Sequence, residues 1–140
     1  MTQLKITGQC LCGSVQYEVS GTAERFYHCH CQRCRKATGT GHASNLLVSP
    51  INSIRWLAGK ALLAQFKVPD AERFFNTFCT RCGSPMPREV EPLNGVLIPA
   101  GTINEKLPIK PQARIFWDSR AEWSCSDEDI PTFSEYPPGI

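Results

Sequence analysis

Along much of the chain, apolar residues recur with a period of two. Val15, Tyr17 and Val19 alternate with Gln16, Glu18 and Ser20, the pattern of a strand with one buried face, and Gly21 is expected to close it. Leu62, Ala64, Phe66 and Val68 alternate in the same way with Leu63, Gln65 and Lys67. Residues 73–78 form an aromatic-rich run into a cysteine pair, and Pro69 and Asp70 mark the turn between the two strands. Further strands are expected at 46–48, 54–57, 95–98 and 113–117, separated by Pro50, Gly59, Pro108 and Pro111. One short helix is predicted over 32–38, ending at Gly39. From 126 onward, Pro131, Pro137 and Pro138 predict irregular chain on the surface. No repeat or linker interrupts this pattern. The expectation is a mainly β fold of small antiparallel sheets in one domain, 1–140.

Composition narrows the function classes. At 140 residues the chain can bury roughly two thirds of its unfolded surface. With 41% hydrophobic and 20% charged residues it lacks the composition of a disordered chain. Fifteen Lys and Arg oppose thirteen Asp and Glu with no dense basic block, so no nucleic-acid partner is expected. Residues 1–9 hold no apolar signal core, and 96–103 is short and interrupted by Pro99, so neither export nor a membrane span is expected. Eight cysteines in such a chain suggest a reducing, cytoplasmic setting, where clustered thiols are used for metal more than for disulfides.

The cysteines fall into groups: Cys10 with Cys12, Cys29 with Cys31 and Cys34, Cys79 with Cys82, and Cys125 alone. Gly13 and Gly83 follow the two pairs and permit the tight turn that aims two sulfurs at one point. Combining the pairs gives a four-thiolate site of the structural zinc kind, tying the start of the chain to its middle. Spacing also allows Cys29 and Cys31 to join Cys79 and Cys82 instead. The triplet supplies three ligands within six residues and leaves a fourth position for water or substrate, unless Cys125 or a histidine fills it.

The order of motifs is specific. Gly8-Gln9-Cys10-Leu11-Cys12-Gly13, then Cys29-His30-Cys31-Gln32-Arg33-Cys34-Arg35-Lys36, then Phe78-Cys79-Thr80-Arg81-Cys82-Gly83-Ser84-Pro85 resembles the glutathione-dependent formaldehyde-activating enzyme family, which also includes centromere protein V. Ile115-Phe116, Asp118-Ser119, Trp123 and the closing 133–138 resemble its terminal segment, with departures at Arg114 and Glu122. The resemblance implies a β-tent fold and two zinc ions per chain. Cys10, Cys12, Cys79 and Cys82 would hold the structural zinc, and Cys29, Cys31 and Cys34 the catalytic one. It also implies a carbon-sulfur lyase-type reaction, glutathione plus formaldehyde to S-hydroxymethylglutathione. The competing reading is a noncatalytic zinc module that contacts a protein partner.

Other residues are candidates for lesser roles. Arg33, Arg35 and Lys36 are candidate anchors for the carboxylates of glutathione, or else a solvated helix face. His30, between two ligands, is assigned a supporting or surface role, and His42 is the better candidate to line the open site. Trp56, Trp117 and Trp123, with Phe74, Phe75, Phe78 and Phe116, are read as core aromatics, with Trp117 or Trp123 as the alternative pocket wall.

Overall fold

A computed structural model describes residues 2–125 and 129–139. Its strands are β1 (Thr2–Gln9), β2 (Gln16–Cys29), β3 (Ala43–Ser49), β4 (Ile54–Ala58), β5 (Leu63–Lys67), β6 (Phe75–Cys79), β7 (Arg88–Val90), β8 (Gly95–Pro99) and β9 (Ala113–Ile115). One α-helix, α1 (Gln32–Thr38), and five single-turn 3-10 helices complete the regular structure among the described residues. The chain is mainly β, as its period-two pattern leads one to expect. Residues 129–139 carry no strand or helix, in keeping with the expected irregular tail, whose first residues, 126–128, lie outside the described ones.

The long strand β2 organises the larger sheet because it has different partners at its two ends. Its first half pairs β1 on one edge and β4 on the other, and its second half pairs β3 and β9. The path continues from β3 to β8 and β7, while β5 and β6 form a separate two-stranded sheet. Among the described residues all strand pairings are antiparallel except β2 with β9, which is parallel. Leu4, Ile6, Val15, Tyr17, Val19, Leu46, Val48, Val96 and Ile98 fill the main core, and Cys10 and Cys79 border it. Among the described residues no helix is long and apolar enough to cross a membrane.

Gly21 does not end its strand. It pairs with Leu4 in mid-β2, and a Cβ there would collide with the Ser49 carbonyl oxygen and come within 2.9 Å of Val48 Cγ1. Glycine is needed for close approach of backbone, not for a turn. Gly21→Val should therefore destabilise the fold by about 2 kcal/mol or more through overpacking, read from urea unfolding.

Three other expectations change. Phe66 is on β5, but it is 56% exposed and does not join the buried face that the alternation leads one to expect. The strand expected over 113–117 stops at Ile115, where Phe116 takes a left-handed conformation with φ 53° and a 3-10 turn follows. The aromatics are also not all core. Trp56 packs partly buried against Tyr17 at 6.0 Å between ring centroids, but Trp117, Trp123 and Phe116 are exposed.

Candidate metal centres

Two short turns of the same construction meet at the first cysteine group. Cys10 N–H donates to the Val15 carbonyl and Gly13 N–H to the Cys10 carbonyl; Cys79 N–H donates to the Ser84 carbonyl and Gly83 N–H to the Cys79 carbonyl. Gly13 and Gly83 have φ of 77° and 79°, a region open to glycine at little cost. The turns are joined by Leu11 N–H donating to Ser84 Oγ at 2.9 Å. The four sulfurs of Cys10, Cys12, Cys79 and Cys82 lie within 4.8 Å of one another. Zinc–sulfur bonds of about 2.3 Å in a tetrahedron place sulfurs about 3.8 Å apart. Cys10 and Cys12 stand at 3.6 Å and Cys12 and Cys79 at 4.0 Å, far beyond a disulfide bond of about 2.05 Å. The donor set fits zinc. The alternative grouping of Cys29 and Cys31 with Cys79 and Cys82 does not occur.

The second group forms where β2 runs into α1. Cys29 ends β2 between Ala43 of β3 and Ile115 of β9. Cys31 is the N-cap of α1, its sulfur accepting the Cys34 N–H at 3.3 Å, and Gly39 closes the helix with φ 69°. The three sulfurs again lie within 4.8 Å of one another, and no fourth protein ligand joins them among the described residues. Cys125 is exposed and outside the group. A hydrogen bond from Cys34 holds the Cys29 thiol down to about 6, and the same bond, with burial, pushes Cys34 up. Three thiolates this close repel one another unless a cation lies among them, so this donor set also fits a metal.

The two groups differ in access. Cys29, Cys31 and Cys34 line a cavity of about 490 Å³, together with Arg33, Arg88 and Phe116. Cys34 also borders a neighbouring cavity of about 300 Å³, lined by His42, Asn45 and Arg88 among others. None of Cys10, Cys12, Cys79 or Cys82 lines either space. Volumes of this order suit a small molecule.

A search against curated proteins finds no match. A solved crystal structure of a Rhodobacter sphaeroides protein, a structural-genomics target, is similar in fold, with a TM-score of 0.59 at 19% identity over 74% of this chain and 92% of that one. The family profile described as glutathione-dependent formaldehyde-activating enzyme matches residues 5–119, and so spans both cysteine groups. This chain belongs to that family.

As a member of the glutathione-dependent formaldehyde-activating enzyme family, the chain can be compared with the residues its motifs singled out. Arg33 reaches the larger cavity, and Lys36 does not line it. Arg35 is occupied elsewhere, donating from Nη1 to the Ser119 carbonyl at 3.0 Å. His42 borders the smaller cavity. His30 is fully buried, packed edge-on against Trp117 at 5.1 Å, so the surface placement considered for it is corrected: the turn after Phe116 folds the indole onto it.

The residue missed from sequence is Arg88. It lines both cavities, and its guanidinium lies 5.5 Å from the Phe74 ring centroid and 5.9 Å from that of Phe75. Among the described residues no carboxylate pairs with it. Burial pulls its pKa below the usual arginine range, while the nearby Cys34 and Cys29 act to raise it. Nothing in the local pattern distinguishes this arginine from the others. The β7–β8 pairing carries it to the cluster.

Proposed function

We propose that this chain is a zinc-dependent enzyme of carbon-sulfur lyase type, joining a small thiol such as glutathione to formaldehyde. The observation that carries this reading is the three-sulfur group on the wall of a cavity that also holds Arg33 and Arg88. Cys10, Cys12, Cys79 and Cys82 would hold a structural zinc, and Cys29, Cys31 and Cys34 the catalytic zinc. Zinc bound by three thiolates supplies Lewis acidity that favours the thiolate form of a substrate thiol. We assign the work to one cytoplasmic domain, 1–140.

The chain's own residues would do the rest. Arg33, exposed at the rim, attracts a peptide carboxylate. Arg88, half-buried and held against two aromatic rings, offers a fixed cation beside the reacting atoms. In the addition, the thiolate sulfur attacks the aldehyde carbon and a C–S bond forms. The C=O π pair moves to oxygen, and that oxygen takes up the proton the thiol gave up. Arg88 would stabilise the oxyanion as it develops.

Freshly purified protein should contain about two zinc ions per chain by elemental analysis. Zero zinc with native disulfides would remove the reading. Arg88→Met should lower kcat/KM for thiol addition by about 10- to 100-fold, the worth of a charge-assisted hydrogen bond, with zinc content unchanged. Arg88→Lys should recover part of the loss. Because the two substrates also combine unaided, every rate is taken against an enzyme-free control, and a rate no higher than that control would refute the enzyme reading.

A further inference from the structure

The side of β2 turned away from the cysteine cavity carries a second concentration of chemistry. Tyr27 and Cys29 line the cavity, so the alternation of the strand turns His28 to the opposite face. There the register sets His28 beside Ser44 of β3 and Arg114 of β9. The His42 ring lies 4.1 Å from that of His28 and 5.0 Å from that of His30. The Trp117 ring collects the guanidinium groups of Arg120 at 4.3 Å and Arg114 at 5.6 Å.

We propose that His28, His30 and His42, with Arg114 and Arg120, form a binding site for a small oxyanion, a carboxylate or a phosphate group. Three observations converge on it. His30 is fully buried, yet among the described residues neither Nδ1 nor Nε2 has a hydrogen-bond partner, and a buried imidazole left so calls for one. Arg114 and Arg120 both lie against the Trp117 indole with no carboxylate partner among the described residues, and Arg120 Nη1 also donates to the Trp117 carbonyl at 2.9 Å. Ser44 Oγ lies 3.0 Å from His28 Nδ1 and 3.4 Å from His42 Nδ1. A hydroxyl has one proton and can donate to only one of these rings. The neutral ring that accepts it carries its own proton on Nε2, a donor left for a ligand.

A cation is the wrong occupant. Among the described residues only the two cysteine groups bring three ligand atoms within 4.8 Å of one another, and the three imidazoles do not. Two guanidinium groups beside them repel a metal ion and attract an anion. Both arginines are exposed, so a ligand reaches them from solvent. Phe116, in its left-handed conformation, links the two faces of the strand: its own side chain lines the cysteine cavity, and the next residue, Trp117, packs on His30.

The test is a titration of the zinc-loaded full chain, at fixed pH and ionic strength, following the histidine ring signals by NMR. One arm adds inorganic phosphate. The other adds S-methylglutathione, which offers carboxylates but no free thiol. Saturable shifts of the His28 ring are expected in at least one arm; His42 also borders the cavity beside Cys34, so a shift of His42 alone does not support the site. The arm that saturates identifies the source of the oxyanion: free phosphate, or the carboxylate of the peptide. Arg114→Gln and Arg120→Gln should each weaken that binding about tenfold, and Arg114→Lys should retain more of it than Arg114→Gln. Shifts that never saturate in either arm, or an affinity unchanged in the Arg114→Gln/Arg120→Gln double variant, would overturn the proposal. So would zinc beyond two equivalents binding at these histidines. Each readout is independent of catalysis, so failure here would leave the thiol-addition reading standing.

Discussion

Cys79→Ser is expected to lose zinc from the four-sulfur group and to destabilise the whole fold by at least about 4 kcal/mol. That figure is the chain-entropy value for a cross-link closing the roughly seventy-residue loop from Cys10 to Cys79. Stabilities of small domains are about 5–15 kcal/mol, so such a loss brings the variant close to unfolding. The reason is position. Cys10 and Cys79 border the main core, and a metal between them would tie the end of β1 to the β5–β6 ribbon. Cys10→Ser should act alike. Urea unfolding together with zinc analysis checks both variants, and full stability with zinc retained would refute the assignment of this group as structural.

Cys34→Ser should have the opposite profile, abolishing thiol addition while costing about 2 kcal/mol or less. Cys29, Cys31 and Cys34 lie within six residues at the junction of β2 and α1, so a metal there constrains little of the unfolded chain. The local structure has other support, since α1 keeps its Gly39 cap and Arg35 still holds the Ser119 carbonyl. Activity should fall to the enzyme-free rate with only the second zinc missing. If Cys34→Ser unfolds the protein as severely as Cys79→Ser does, both metals are structural and the noncatalytic module becomes the better reading. If activity survives, the triplet is not the reacting centre.

These two variants probe features that were legible in the sequence for a physical reason. A metal group built from Cys-x-Cys-Gly and Cys-x-x-Cys-Gly is written locally, because each turn needs only its own glycine and two thiols at short spacing. The helix over Gln32–Thr38 is of the same kind: a sulfur cap at one end, a left-handed glycine at the other, and no distant partner required. Strands over 46–48, 54–57 and 95–98 were likewise legible from their apolar runs and bounding turns.

What failed was long-range. Gly21 read as a stop because glycine usually breaks a strand, and only the approach of Ser49 reveals why it stays inside one. The tryptophans read as core because their area is large, but the sheet covers Trp56 and leaves Trp117 and Trp123 exposed.

By itself, then, the sequence determined a mainly β chain, its one helix, its cysteine groups and its family, since period-two patterning and short motifs are properties of neighbouring residues. Tertiary structure decided how the cysteines pair across the chain, which group opens on a cavity, and that Arg88 stands beside it. It also decided that β9 lies parallel to β2, which brings Arg114 alongside His28. These are contacts between residues tens of positions apart, and no local spacing encodes them. They arise when strands with one apolar face find the neighbours that bury it.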